Sequence, residues 1–134
     1  MEPTRVTRVI LVEDDPAFRS GLKSLIASQP HLEVAAEAAT PEAAVEVVAR
    51  NAAELVLLDL SLPRLDGFEV LKHIRGKGPA PKVLVLSIYA LDEVAATAFA
   101  AGADGYCTKT VGRDALLEAI AEVMRGGRVC CLEQ

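Results

Sequence analysis

Short apolar runs alternate with amphipathic stretches along the 134-residue chain, and this alternation constrains the fold more than any other feature. The runs are nearly continuous rather than interrupted at every second residue, which is typical of strands that are covered on both faces. We therefore expect a parallel sheet with helices on both sides. The runs predict strands at residues 8–12, 32–38, 54–58, 82–87 and 103–108.

The stretches between the runs carry apolar residues at helical spacing. In the first stretch, Phe18, Leu22, Leu25 and Ile26 lie at i, i+4, i+7 and i+8, which places them on one helix face. A Thr-Pro pair begins the second helix, with threonine as the N-cap. This second helix is predicted at residues 40–51, and three further helices are predicted at 67–75, 91–101 and 113–125. Five βα units predict an open, doubly wound five-stranded sheet, because right-handed crossovers leave few other topologies.

Composition limits the class of protein. The length fits one domain, and the net charge of −5 provides no electrostatic footprint for nucleic acid. We therefore expect no direct contact with DNA or RNA. The N-terminus lacks a signal peptide, and no apolar run approaches the roughly 20 residues of a membrane helix. These observations predict a cytoplasmic protein without a membrane segment.

The three cysteines leave two interpretations open. The cysteines are Cys107, Cys130 and Cys131. Their odd number argues against a disulfide framework and fits a reducing compartment. The adjacent pair near the C-terminus is compatible with metal binding or redox sensing. A frayed tail is the simpler interpretation.

Polar residues follow four of the predicted strands. Glu13 and Asp14 follow the first strand, and Asp59 follows the third. Ser87 ends the fourth strand, and Lys109 comes directly after the fifth. In doubly wound sheets the functional crevice lies outside the carboxyl ends of the strands. We therefore expect these five side chains to share one site.

The residue types in this set indicate phosphoryl transfer. Two carboxylates about 4 Å apart repel by roughly 4 kcal/mol at an effective dielectric of 20, and a divalent cation relieves this repulsion. Oxygen ligands around an open loop suit Mg²⁺ or Mn²⁺. A hydroxyl and an ammonium beside a carboxylate are the groups that a transferring phosphoryl group requires. Asp59, on the central strand, is the best candidate for a nucleophile that forms an acyl phosphate.

The motifs in order are Glu-Asp-Asp-Pro at 13–16, Asp-Leu-Ser-Leu-Pro-x-x-Asp-Gly at 59–67, Ser87, and Ala-Gly-Ala-Asp-Gly-Tyr at 101–106 leading to Lys109. With them, the chain resembles the receiver domain of the response regulators of two-component signalling over essentially its whole length. No single motif is specific, but their order at successive strand ends is. The resemblance implies a flavodoxin-like receiver fold and a phosphorylation-controlled signalling switch.

The resemblance also implies a role for each residue of the site. Asp59 would accept a phosphoryl group from a histidine kinase. Asp14 and Asp59 would bind Mg²⁺ together with the backbone carbonyl of Ser61, while Glu13 would act largely through a water. The side chains expected to contact the phosphoryl oxygens are Ser87 and Lys109.

A second set of implications concerns the switch. Tyr106 would turn inward when Ser87 moves towards the phosphoryl group. The face formed by the fourth helix, fifth strand and fifth helix would then bind a second copy or an output domain. We expect no enzymatic turnover beyond self-phosphotransfer and slow self-dephosphorylation.

The chain departs from the commonest receiver pattern in ways that indicate a subfamily. Lys109 is followed by Thr110 where many members have proline, and Gly126-Gly127 follow the last helix. Both features resemble the NarL/FixJ type, whose members usually continue into a helix-turn-helix domain. Residues 1–128 would then be the receiver and 129–134 a short tail that begins a linker to an output domain regulating transcription. A stand-alone receiver acting through protein contacts is the alternative.

Other interpretations explain less of the sequence. Asp15 and Asp66 are interpreted as helix-capping or turn residues. A Mg²⁺-dependent aspartyl phosphatase would carry an Asp-x-Asp pattern after its first strand, and Glu13-Asp14-Asp15 lacks it. A degenerate receiver is disfavoured because every expected group is present. A nucleotide or flavin binder would need a glycine-rich loop after the first strand.

Overall fold

Six parallel strands alternate with five helices in the part of the chain that the structure describes, residues 5–60 and 66–132 of a computed structural model. The strands are β1 (Thr7–Val12), β2 (Leu32–Ala38), β3 (Leu55–Asp59), β4 (Lys82–Ser87), β5 (Gly105–Thr108) and β6 (Val129–Cys131). The helices are α1 (Pro16–Ala27), α2 (Pro41–Arg50), α3 (Asp66–Gly76), α4 (Asp92–Ala100) and α5 (Arg113–Met124). The predicted boundaries differ from these by one or two residues, as helix and strand ends commonly do.

The strand order places the switch point of the sheet beside the acidic residues. The order is β2-β1-β3-β4-β5-β6, and every pair is parallel. The chain runs outward from β1 to β2 and then returns to the other side of β1 with β3. The loops after β1 and β3 therefore diverge and leave a crevice at the carboxyl edge of the sheet.

Apolar groups pack on both faces of the sheet, which confirms the doubly wound arrangement. One group joins the sheet to α2, α3 and α4, and includes Ile10, Val56, Leu58, Ala44, Leu71 and Ala98. The other joins the sheet to α1 and α5, and includes Val9, Leu11, Leu55, Leu22, Ile26 and Val123. Successive strand residues alternate between these groups, so strands buried on both faces are apolar throughout.

Side-chain caps begin the first two helices. The Asp15 carboxylate accepts a hydrogen bond of 3.0 Å from the backbone N–H of Ala17. The Thr40 hydroxyl accepts one of 3.1 Å from Ala43. Each cap is followed by proline at the first helical position, where no backbone N–H is needed. The prediction that Asp15 is a capping residue is confirmed.

The sixth strand corrects the predicted count of five. Val129–Cys131 lies within the segment assigned to the tail, yet it pairs in parallel with β5. A strand of three residues is too short to be recognised from the periodicity of its apolar residues. The turn depends on Gly126, whose φ of 93° lies in the left-handed region, and the N–H of Gly127 closes the end of α5 on Glu122 O at 2.9 Å. The chain thus returns to the open edge of β5.

Across residues 5–60 and 66–132, none of the helices combines the length and the apolar character required to cross a membrane.

Candidate functional site

Three carboxylates converge at the crevice, as the sequence predicts. Glu13 follows β1, where its backbone N–H donates to Ala38 O at 3.0 Å, and Asp59 is the last residue of β3. Carboxylate oxygens of Glu13, Asp14 and Asp59 all lie within 4.8 Å of one another. Glu13 is buried, the Asp59 side chain is 6% exposed, and Asp14 is exposed to solvent. The cluster is therefore closed on the sheet side and open at Asp14.

Lys109 lies among these acids. Its Nζ is 2.8 Å from Glu13 Oε1 and 3.1 Å from Asp59 Oδ1, and its side chain is 14% exposed. The contact with Glu13 Oε1 is a short ion pair. The backbone N–H of Lys109 donates to Ser87 O at 2.7 Å, which ties the turn after β5 to the end of β4. The structure thus brings Lys109, Glu13 and Asp59 together at the carboxyl edge of the sheet.

The crowding of charges changes two pKa values. Burial raises the pKa of Glu13 to about 7; the Asp59 charge acts in the same direction, and Lys109 and the Asp15 backbone N–H oppose it. Burial disfavours the charged form of Lys109, but its contacts with Glu13 and Asp59 outweigh burial and raise its pKa. Lys109 thus contacts two of the carboxylates, and its single positive charge does not balance the charge of all three acids.

The donor set fits a hard divalent cation. All three side chains offer oxygen atoms, which Mg²⁺ and Mn²⁺ prefer, and the exposed side at Asp14 leaves room for water ligands. The predicted ligand at the backbone carbonyl of Ser61 lies outside the described residues.

A cavity adjoins the acids at the switch point. Besides Glu13, Asp14 and Asp59, it is lined by the end of β3 and by the starts of α2 and α3. Gly67 allows α3 to come close, since a Cβ there would lie 3.2 Å from Asp59 O and 2.5 Å from Leu60 Cδ2. The glycine of the Asp-Gly pair therefore has a steric role beside the site.

Ser87 and Tyr106 meet at Tyr89. The buried Ser87 hydroxyl accepts a hydrogen bond of 3.1 Å from the Tyr89 backbone N–H, and the Tyr106 hydroxyl donates to the Tyr89 carbonyl at 2.6 Å. Tyr106 is fully buried, and this burial raises the pKa of its phenol. Ser87 follows Leu86, the register partner of Asp59, so it ends its strand at the same edge. The tyrosine already occupies an inward position.

Two residues of α1 contribute to the site although their pattern in the sequence indicates no functional role. The Phe18 ring centroid lies 4.6 Å from Lys109 Nζ, a cation–π contact, whereas the helical spacing indicated only a core position. Arg19 Nη1 donates to Glu13 O at 2.8 Å, and its Nε lies 3.3 Å from Glu37 Oε1. Their position about one helical turn after Asp14 was the available signal, because it keeps them close to the acids along the chain.

Comparison with protein families and curated sequences identifies related proteins. A family model described as the response regulator receiver domain matches residues 9–121. The transcriptional regulatory protein DegU of Brevibacillus brevis is 34% identical over 120 residues, which cover 90% of this chain and 51% of that protein. The nitrate/nitrite response regulator protein NarL of Escherichia coli K12 is 34% identical over 121 residues, covering 90% and 56%. The chain thus spans about half the length of these relatives.

Solved structures of response regulators also resemble this chain. A two-component response regulator of the LuxR family from Aurantimonas sp. SI85-9A1 superposes with a TM-score of 0.86 at 35% identity, covering 92% of this chain and 89% of that one. The response regulator domain of Thermotoga maritima CheB superposes with a TM-score of 0.81 at 32% identity, covering 90% and 98%. The fold therefore agrees with that of these proteins.

Proposed function

Because the chain belongs to the response regulator receiver domain family, we propose that its phosphorylation switch operates through Asp59 as the phosphoacceptor. The observation that supports this assignment is the convergence of Asp59 with Glu13, Asp14 and Lys109 at the carboxyl edge of the sheet. Glu13 and Asp59 both contact the ammonium, at 2.8 and 3.1 Å, but of the three acids it is Asp59 that ends the central strand β3. A carboxylate in this position is held by the strand, and the neighbouring ammonium can stabilise the negative charge of a transferring phosphoryl group.

The reaction transfers a phosphoryl group from a phosphohistidine of a histidine kinase. An oxygen of the Asp59 carboxylate attacks phosphorus, the new O–P bond forms, and the N–P bond breaks with its electron pair remaining on the imidazole. Lys109 supplies positive charge beside the transferring oxygens, and the Ser87 hydroxyl is proposed to donate to one of them.

Glu13, Asp14 and Asp59, with the Ser61 carbonyl expected from the family pattern, would hold Mg²⁺, and Glu13 would act largely through a water. When bound, the cation neutralises carboxylate and phosphoryl charge. Since three carboxylates face one ammonium here, phosphorylation without the cation would add further negative charge to a site that already has an excess. We therefore propose that phosphorylation requires Mg²⁺ or Mn²⁺.

The signal would pass from Ser87 to Tyr106 through Tyr89, which contacts both residues. A shift from 1:99 to 99:1 between two packings requires about 5.5 kcal/mol, which a few charge-assisted hydrogen bonds to phosphate could supply. The face of α4, β5 and α5 would change with this rearrangement. A second copy of the chain or an output domain would bind there.

The relatives suggest the wider role. They are a transcriptional regulatory protein and a nitrate/nitrite response regulator. We propose that this domain controls transcription in the cytoplasm through a separate DNA-binding domain, since a net charge of −5 gives the receiver itself no nucleic-acid footprint. Turnover beyond self-phosphotransfer and slow self-dephosphorylation is not expected.

Incubation with acetyl phosphate and Mg²⁺, followed by intact mass spectrometry, tests the assignment. We expect one phosphoryl group on the wild type, none after chelation of Mg²⁺ with EDTA, and none on Asp59→Asn. Asp15→Asn is the matched control, because asparagine also caps a helix and the residue lies beside the site. Phosphorylation of Asp59→Asn would show that another residue is the acceptor, and a wild type that gains no phosphoryl group would contradict the proposed switch.

A further inference from the structure

The three cysteines occupy two neighbouring strands, and two of them face each other. Cys107 in β5 is the register partner of Cys131 in β6, whereas Cys130 is paired with Tyr106. Neighbouring strands lie about 4.8 Å apart, and residues paired in register extend to the same side of the sheet. This spacing falls within the range of about 4.4–6.8 Å between Cα atoms that a disulfide bridges.

Packing agrees with this pairing. Cys107 is fully buried among the apolar residues between the sheet and helices α1 and α5, and the half-buried Cys131 packs against that same group. Cys130 is exposed and is not part of it. Within the described segments, the one group of three candidate metal ligands is the acidic cluster, so the cysteines do not form such a group. The pairing therefore indicates thiol chemistry rather than metal binding.

We propose that Cys107 and Cys131 form a reversible disulfide across the β5–β6 pair in the presence of a low-molecular-weight disulfide. In the first exchange, the Cys131 thiolate attacks one sulfur of the small disulfide and displaces its other half as a thiolate. In the second, the Cys107 thiolate attacks Cys131 sulfur and displaces the remaining half. Each small disulfide is thus reduced to two thiols while the protein loses two hydrogen atoms.

The order of the two exchanges follows from exposure. Cys131 is partly open to solvent at the sheet edge, whereas Cys107 is fully buried in the neighbouring strand β5. Burial also raises the pKa of the Cys107 thiol, so its thiolate is scarce while β6 stays in place. We therefore expect the second exchange to be slow and to occur as the three-residue edge strand opens. Once formed, the bond fastens β6 to β5.

Formation of this disulfide would affect the face made by α4, β5 and α5, and it does not involve Asp59. The Arg128 guanidinium, just before β6, lies 4.6 Å from the Phe99 ring centroid, so this segment also contacts α4. A covalent β5–β6 link would hold that contact closed. Thiol oxidation would thus rigidify this face without any change in phosphorylation.

Equilibration with mixtures of oxidised and reduced glutathione tests the proposal. After alkylation of remaining thiols, trypsin cleavage at Lys109 and Arg128 separates Cys107 from the peptide that holds Cys130 and Cys131. We expect intact protein to lose two hydrogen atoms and the two peptides to be linked. Amide hydrogen exchange in β6 should slow in the oxidised form and recover on addition of dithiothreitol.

Two serine variants at the exposed edge distinguish the pairings. Cys130→Ser should retain the linked peptides, whereas Cys131→Ser should lose them, with circular dichroism verifying that both variants are folded. A link that disappears in Cys130→Ser would overturn the proposal. So would a wild type that forms only glutathione adducts, a Cys130–Cys131 bond or intermolecular dimers at every glutathione ratio.

Discussion

At the scale of single residues, the unbalanced charge of the acidic cluster is the feature with the most consequences. Lys109 contacts two carboxylates, while Asp14 adds a third negative charge at the solvent side. The buried Glu13 responds by holding its proton to a pKa of about 7. The site therefore favours ligands that bring positive charge, and it destabilises the folded chain when they are absent.

The raised pKa of Glu13 predicts a pH dependence of stability in the metal-free protein. The folded chain binds this proton up to a pKa of about 7, whereas the unfolded value is 4.5, so the contribution of Glu13 is lost as pH rises through this window. The free energy of unfolding should fall by at most about 3 kcal/mol between pH 4.5 and 7. Urea unfolding of wild type and Glu13→Gln across this range measures the effect: the free energy of unfolding should fall more steeply with pH in wild type than in the variant. Equal slopes would contradict the shift.

Removal of the Lys109 charge should destabilise the metal-free fold. Lys109→Met leaves the buried Glu13 and Asp59 facing each other, and we expect a loss of about 2 kcal/mol, less than for a fully buried pair because Glu13 can take up a proton. Mg²⁺ should restore more stability to this variant than to wild type. Urea unfolding at pH 8 with and without Mg²⁺ measures both effects. Lys72→Met, at an exposed site, serves as control.

At the scale of secondary structure elements, one arginine joins α3 to the turn before β5. Arg75 Nε donates to Gly102 O at 2.9 Å, and Nη2 donates to Asp104 Oδ2 at 2.8 Å. Nη1 donates to Gly78 O at 3.1 Å. The same Asp104 oxygen accepts from the Val83 N–H at 2.9 Å, which extends the network to β4. These bonds satisfy loop carbonyls at the edge of the sheet opposite the acidic cluster.

Arg75→Met should therefore cost about 2–3 kcal/mol of folding free energy, because it removes several hydrogen bonds and leaves partly buried Asp104 without its main charge partner. Arg50→Met is the matched control. Arg50 is 75% exposed and pairs with Glu46 within one helix, so its loss should cost less than about 0.5 kcal/mol. Denaturant unfolding compares the two. A similar cost for both would mean that the network contributes little.

At the scale of the whole molecule, apolar side chains are exposed beside the predicted interaction face. Ile88 is 67% exposed and Leu91 is 48% exposed, and both lie between the Ser87 strand end and α4. Strand β6 pairs with β5, and Arg128 contacts Phe99 of α4, so this segment adjoins the same face. A partner that binds here would contact the segment that the phosphorylation site is expected to move.

We expect Mg²⁺ and beryllofluoride, which imitates the phosphoryl group, to promote self-association through this face. Leu91→Asp should raise the dissociation constant of the dimer about tenfold or more, a loss of roughly 1.4 kcal/mol. Val6→Asp alters an exposed apolar residue just before β1, far along the sheet from α4, and should leave association unchanged. Sedimentation equilibrium provides the constants. Equal effects of both variants would exclude the face.

Much of this architecture could be predicted from the sequence because its determinants are local. The continuous apolar strands indicated burial on both faces, and the Thr40-Pro41 pair indicated a helix start, which its cap confirms. The acids at the ends of β1 and β3 could be placed together because parallel strands end at one edge. The three-residue β6 could not be predicted, because its pairing depends on a long-range contact with β5 rather than on periodicity.

The sequence by itself determined the βα alternation, the crevice and the residue types that serve a receiver site. Only the tertiary structure decided how these groups act on one another: the ion pairs of Lys109, the raised pKa of Glu13, the Phe18 contact and the pairing of Cys107 with Cys131. The physical reason is range. Propensity and periodicity act over a few residues, whereas burial and charge depend on segments brought together from distant parts of the chain.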